Sequence, residues 1–285
     1  MTTNQEQPAI VVDDVSRTFR SFWGRRVVTA VDGLKLEVPR GCIFGLLGPN
    51  GSGKTTTLSM ILGLLRPDGG LIRVLGESPG SPEVRGKIGY LPEEFEPPEY
   101  LSGEEVLRFY GGLQAMDSQT LTSRIDSLLG ALGLEEARRR QFREYSKGMR
   151  RRIGLAQALL HEPELLILDE PTNGLDPIGV GRVRGLIQEC KARGCTVLLS
   201  SHILPEVEEI CENIALLREG FAICAGATEE LLSSKDEMEV VLRSCGTERA
   251  TEAATFLRDK GFQVERVRAG RRSLESLFLE LVDEE

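Results

Sequence analysis

A chain of 285 residues that is 40% hydrophobic can bury one large core, or a large and a small one, so disorder is not its default state. Its 44 acidic against 35 basic side chains leave a net charge of −9, which argues against a protein whose main work is gripping nucleic acid through phosphates. Cysteines at 42, 190, 195, 211, 224 and 245 lack both CxxC spacing and the density of a disulfide scaffold, and read as buried thiols in a reducing compartment. The start, MTTNQEQPAI, has no basic stretch leading into an apolar run. No segment approaches the roughly 18 apolar residues that span a bilayer, so the chain is expected to be soluble and cytosolic.

In chain order, residues 9–15 (AIVVDDV) and 34–47 (LKLEVPRGCIFGLL) are strand-like runs interrupted by turns; the second enters a Gly-rich loop, and a helix is expected near Lys54. Ser102 and Glu105 have the spacing of a capping box, and Val106, Phe109, Tyr110 and Leu113 recur as the apolar stripe of the helix that follows. Met149, Ile153, Ala156 and Leu160 form a second stripe, ended by Pro163. LLILD (165–169) and CTVLLSS (195–201) are short aliphatic runs separated by amphipathic stretches, as in buried parallel strands joined by helices, so the plan is α/β. After about residue 226, a boundary soft by several residues, the composition shifts, and EVVLR, TERATEAATFLRDKG, FQVERV and SLESLFLELV predict a small βαβα appendage. The basic runs at 138–140 and 150–152 read as solvated helix faces, with contact to a membrane component or anionic headgroups as the alternative. His161 reads as a cation at a helix C-terminus.

Gly48, Pro49, Asn50, Gly51, Ser52, Gly53, Lys54, Thr55 and Thr56 fit the Walker A pattern between a strand and a helix, the context that motif requires. The glycines let backbone N–H groups surround phosphates, Lys54 can neutralise the β and γ phosphates, and the Thr55 hydroxyl can ligate Mg²⁺. LLILDE then places Asp169 and Glu170 at the end of a buried strand, the edge where ligands of open parallel sheets sit. Asp169 would hold Mg²⁺ through water, and Glu170 would polarise the water that attacks the γ phosphate. His202, after VLLSS, ends another strand within reach of the same phosphate.

With YSKGM at 145–149 opening a helix before Walker B, NGLDP at 173–177, and His202 beyond, residues 9–226 resemble the ATPases of the ABC (ATP-binding cassette) family, whose signature is usually LSGGQ. The resemblance implies a P-loop NTPase core with a parallel sheet, an antiparallel β subdomain and a helical subdomain at about 93–160, all within residues 1–226, and a C-terminal α+β accessory domain at 227–285. It implies that ATP and Mg²⁺ lie between the Walker A loop of one subunit and the signature of another. Ser146 and Gly148 would contact the γ phosphate held by the partner, Asp176 would communicate across the dimer, and His202 would be the switch histidine. Glu93 stands where many relatives carry the Q-loop glutamine, as a carboxylate able to ligate Mg²⁺ or orient water. Phe19 matches the aromatic that stacks on adenine, with Trp23 as competitor.

YSKGM, Glu93 and the appendage together resemble the ABC-2 exporter group. That implies a homodimer or paralogous heterodimer working on a separate membrane permease, cytoplasmic and peripheral to the membrane, with no nucleic-acid partner. Residues 93–112 would meet the permease, unless their Pro- and Glu-rich start is a solvated loop. The alternative is a soluble non-transport ABC ATPase acting on ribosomes or DNA, which the single cassette and the short span from Lys54 to Asp169 disfavour.

Overall fold

In the computed structural model, which describes residues 7–20, 27–233 and 246–264, the chain divides into two units, Met1–Leu231 and Leu232–Glu285. The first contains β1 (Ile10–Arg20), β2 (Val27–Val38), β3 (Ile43–Leu47), α1 (Lys54–Ile61), β4 (Gly69–Val74), α2 (Pro82–Arg85) and β5 (Ile88–Leu91). Then follow α3 (Gly103–Leu113), α4 (Ser118–Ala131), a 3-10 turn at Phe142–Glu144, α5 (Lys147–Leu159), β6 (Leu165–Asp169), α6 (Pro177–Ala192) and β7 (Thr196–Ser201). The last elements are α7 (Leu204–Ile210), β8 (Asn213–Arg218), β9 (Phe221–Ala227) and α8 (Thr228–Leu232), the end of which overlaps the boundary. In the second unit the described residues form α9 (Thr247–Asp259).

β2, β1 and β4 make an antiparallel sheet, and a six-stranded sheet has the order β5-β6-β7-β3-β8-β9, parallel except where β9 returns along β8. Both faces of its central strands are buried, as their unbroken aliphatic runs require. Side chains alternate between two cores. Ile43, Leu47, Leu166, Leu168, Val197 and Leu199 join the core that includes α3, α4 and α5, while Phe44, Leu46, Leu165, Ile167 and Leu198 join the antiparallel sheet and α1. The helical subdomain is therefore fastened to the strands that end at residues 169 and 201. At Gly89 on β5, an added Cβ would lie 2.0 Å from the Ala158 carbonyl, so glycine sets how closely α5 approaches the sheet.

The structure forms both halves of the expected capping box: Ser102 Oγ accepts the Glu105 N–H, and the Glu105 carboxylate accepts the Ser102 N–H. It rotates the expected stripe of α3. Val106 is buried beside Leu107, Gly103 and Gly111, whereas Phe109 is 47% and Leu113 68% exposed. The cause is α4, whose Leu121 packs into the space left by Gly111, where a Cβ would lie 2.3 Å from Leu121 Cδ1. Of the second stripe, Ile153, Ala156 and Leu160 are buried as expected, and Met149 is half-buried.

Two other expectations change. Arg139 and Arg140 are exposed, but Arg138 pairs with Glu104 and Asp126, and Arg151 is buried. His161 is half-buried and burial lowers its pKa, so it is neutral near pH 7 rather than a helix-end cation. The first unit extends to Leu231: β9 pairs with β8 to Ala227, and the Thr228 hydroxyl donates to the Cys211 carbonyl at 2.7 Å. Expectations for EVVLR, most of FQVERV, SLESLFLELV and Trp23 fall outside the described residues.

Cys42, Cys195 and Cys211 are buried, Cys190 and Cys224 are half-buried, and Cys245 lies outside the described residues. Burial pushes the Cys42 thiol up to about 11 and those of Cys195 and Cys211 to about 12. At pH 8 their thiolate fraction is then about one part in a thousand or less, and it rises only as the pH approaches those values. Iodoacetamide at pH 8 should leave these three unmodified in the native protein and label them after denaturation, as read by peptide mass spectrometry; native labelling would contradict the packing. Ser102→Ala should cost about 1 kcal/mol by removing the cap, a fall of about 2–4 °C in Tm.

Candidate active site

The phosphate loop follows from the backbone that its glycines permit. Gly48, Gly51 and Gly53 have φ of +155°, +80° and +103°. A Cβ on Gly48 would lie 2.3 Å from the Leu217 carbonyl, and one on Gly53 2.4 Å from that of Ala30, so side chains are excluded where the loop is packed from behind. α1 starts at Lys54 with no side-chain cap on its first turn, which leaves N–H groups available to an anion. Pro49 and Asn50 are exposed at the loop crest, Ser52 is buried, Thr55 is exposed and Thr56 is half-buried. Lys54 folds back under the loop: Nζ donates to the carbonyls of Gly48 at 2.7 Å and Pro49 at 3.3 Å.

β6 and β7 deliver the acidic half of the site. Their parallel register sets Asp169 beside Ser200. The Ser200 hydroxyl donates to Asp169 Oδ1 and accepts the Glu170 N–H at 3.1 Å. Asp169 is 1% exposed, and its Oδ2 is buried without a hydrogen-bond partner. Glu170 is 6% exposed. Its Oε1 lies 3.8 Å from Lys54 Nζ and its Oε2 2.8 Å from His202 Nδ1. Its φ of +52° is unusual for a residue with a Cβ and places it sharply at the strand end. Lys54, Asp169, Glu170 and His202 thus form one cluster, reached from three different strands.

The orphaned Oδ2 of Asp169 is suited to a hard cation or its bound water, and Thr55 supplies an accessible hydroxyl. Among the described residues no group of three His, Cys, Asp or Glu forms a metal cage. Protein donors this sparse fit Mg²⁺, which keeps several waters and takes oxygens from substrate phosphates.

The remaining expected residues lie elsewhere. Ser146 caps α5, its Oγ accepting the Met149 N–H at 3.2 Å. Gly148 brings that turn against Gly174 and Leu175, and Asp176 caps α6 by accepting the Gly179 N–H at 2.7 Å. Among the described residues, no hydrogen bond or ion pair joins Ser146, Gly148 or Asp176 to the Lys54–Glu170–His202 cluster. Tyr145, where the family pattern has leucine, is a core residue whose hydroxyl donates to the Ala137 carbonyl at 2.8 Å. Glu93 follows β5 with its side chain exposed, and its carbonyl accepts from Arg151 Nη1 at 2.9 Å. Phe19 is partly exposed on β1, with the Arg17 guanidinium 5.1 Å from its ring centroid.

Two residues of this region carry no distinct sequence signal. Ser200 becomes visible only once the order of β6 and β7 is known. Arg151 is hidden in a basic run, although α5 is apolar around most of its circumference beyond it, and a charge on such a helix must find partners.

Residues 31–173 match the ABC transporter family. An uncharacterised ABC transporter ATP-binding protein of Nostoc is 43% identical over 84% of this chain and 72% of its own. The daunorubicin/doxorubicin resistance ATP-binding protein DrrA of Streptomyces peucetius is 40% identical over 80% and 70%, and a fluoroquinolones export ATP-binding protein of Mycobacterium tuberculosis is 34% identical over 93% and 90%. Among solved structures, an ATP-binding subunit of an ABC transporter superimposes with a TM-score of 0.70 at 28% identity, covering 96% of this chain and 99% of that one. A dimeric ATP-binding cassette bound to ADP and phosphate shares the fold, with a TM-score of 0.71 at 22% identity over 77% and 98%.

Proposed function

The chain belongs to the ABC transporter family and is its ATP-binding, ATP-hydrolysing subunit, and from that premise we propose that two copies, or this chain and a paralogue, close around two ATP molecules to drive a separate membrane permease. The observation that carries this reading is the separation within one chain. The loop, the acidic pair and His202 form a cluster, and among the described residues no hydrogen bond or ion pair joins to it the side chain of Ser146, which caps the start of α5. A helix start of that kind attracts phosphate, so a second chain supplies what the first cluster lacks.

Each side chain then has a definite task. The Lys54 ammonium exchanges the Gly48 and Pro49 carbonyls for β and γ phosphate oxygens. Glu170 accepts a hydrogen bond from the attacking water, and its pairing with His202 fixes the direction of its carboxylate. Thr55 and Asp169 would hold Mg²⁺. When bound, that ion neutralises charge developing on the phosphate oxygens. Asp176 follows Gly174 and Leu175, which pack against Gly148 of the Ser146 turn, and this supports a part in linking the two subunits. Phe19 presents an aromatic face for adenine.

Export is supported by the relatives from Streptomyces and Mycobacterium, whose names describe drug resistance and export. Tyr100 and Phe109 leave apolar surface uncovered on and before α3, which supports residues 93–112 as the permease contact at the cytoplasmic membrane face. Among the described residues no helix is long and apolar enough to cross a membrane, so the membrane path is assigned to the permease.

Glu170→Gln should retain ATP, accumulate as an ATP-bound dimer in size-exclusion chromatography with light scattering, and lose turnover by about 10²-fold or more. Normal phosphate release by that variant would remove Glu170 as the base. Lys54→Ala should lose nucleotide binding or hydrolysis, measured with a fluorescent ATP analogue and by phosphate release; unaltered values would discredit the loop assignment.

A further inference from the structure

Arg151 has no task in the scheme above, yet it is among the most heavily bonded side chains in the protein. It sits in the second turn of α5, 5% exposed, and forms no ion pair among the described residues. Instead its five N–H groups meet five main-chain carbonyls. Nε donates to Pro171 at 3.4 Å, Nη1 to Pro92 and to Glu93 at 2.9 Å, and Nη2 to Asp169 and to Glu170 at 2.7 Å. Burial lowers its pKa to about 10, which leaves it a cation at neutral pH.

Three of those acceptors are consecutive, at 169, 170 and 171, so one planar fork restrains the peptide groups on both sides of Glu170. That is where the chain takes a φ of +52°, a conformation that persists at a non-glycine residue only when its surroundings over-determine it. From the other side Ser200 accepts the Glu170 N–H with both its hydroxyl and its carbonyl, at 3.1 and 3.2 Å. The same guanidinium grips the segment after β5 through Pro92 and Glu93. We propose that Arg151 is a positioning residue for hydrolysis: carried on the helix that Ser146 caps, it locks the backbone of Glu170 so that the carboxylate is aimed at the attacking water. The inference rests on the reading of Glu170 as the base. Lysine cannot replace it, because an ammonium has three donors for five carbonyls and no planar fork.

The test is steady-state ATP hydrolysis by the full-length chain and its Arg151→Lys variant, with affinity for a non-hydrolysable ATP analogue and Tm measured on the same preparations. A positioning role requires kcat to fall about tenfold or more while KM and analogue affinity stay within about threefold, since a small misplacement of a reacting group acts on the chemical step. A kcat within twofold of the parent, or a loss of kcat matched by an equal loss of ATP binding, would overturn it. If Arg151→Lys does not fold, Arg151→Met, which fills similar volume without charge, is read in the same way; failure of both to fold makes Arg151 a stability element and overturns the proposal. Glu170→Gln is assayed in parallel. Normal turnover there removes the base and the inference with it, whereas a silent Glu170→Gln beside an unimpaired Arg151→Lys defeats the inference alone.

Discussion

Burying the Glu170 carboxylate at the end of β6 is the constraint around which the first unit is arranged. A charge taken out of water must be paired and hydrogen-bonded. Here the partners are Lys54 from the loop after β3 and His202 after β7, and these strands are neighbours in one parallel sheet. Parallel order is what brings three strand ends to the same edge, so the topology itself assembles cation, carboxylates and imidazole. Two-sided burial of β3, β6 and β7 then makes that edge rigid, because each strand is clamped by a core on either face.

The helical subdomain is fastened to this edge by backbone as well as side-chain contacts. α5 begins at the Ser146 cap, approaches β5 over Gly89, and inserts Arg151 among the carbonyls of the segments after β5 and β6. Packed elements of this kind move as bodies rather than deforming continuously, so displacement of α5 or of the Pro92–Glu93 segment is felt at Glu170.

The glycine-rich loop and the aliphatic strands were legible in the sequence because their chemistry allows few alternatives: Gly48 and Gly53 sit where no Cβ fits, and β6 is buried throughout. The capping box was legible because both of its partners are local. What depended on tertiary packing was not. The buried face of α3 is chosen by Leu121 on another helix, His161 is neutralised by its surroundings, and Arg151 looks like any member of a basic run until five carbonyls are folded around it. Glu93 shows the same limit, since its sequence position suggests a ligand, while the bond that its carbonyl accepts from Arg151 Nη1 comes from tertiary packing alone.

The most direct examination of this account is a crystal structure of the chain with magnesium and a non-hydrolysable ATP analogue. The account requires the terminal phosphate on Lys54 Nζ, the ion or its water on Asp169 Oδ2, and Glu170 facing the phosphate with its carboxylate still on His202. A nucleotide bound away from the 48–56 loop, or Lys54 still bonded to the Gly48 carbonyl beside bound phosphate, would contradict it.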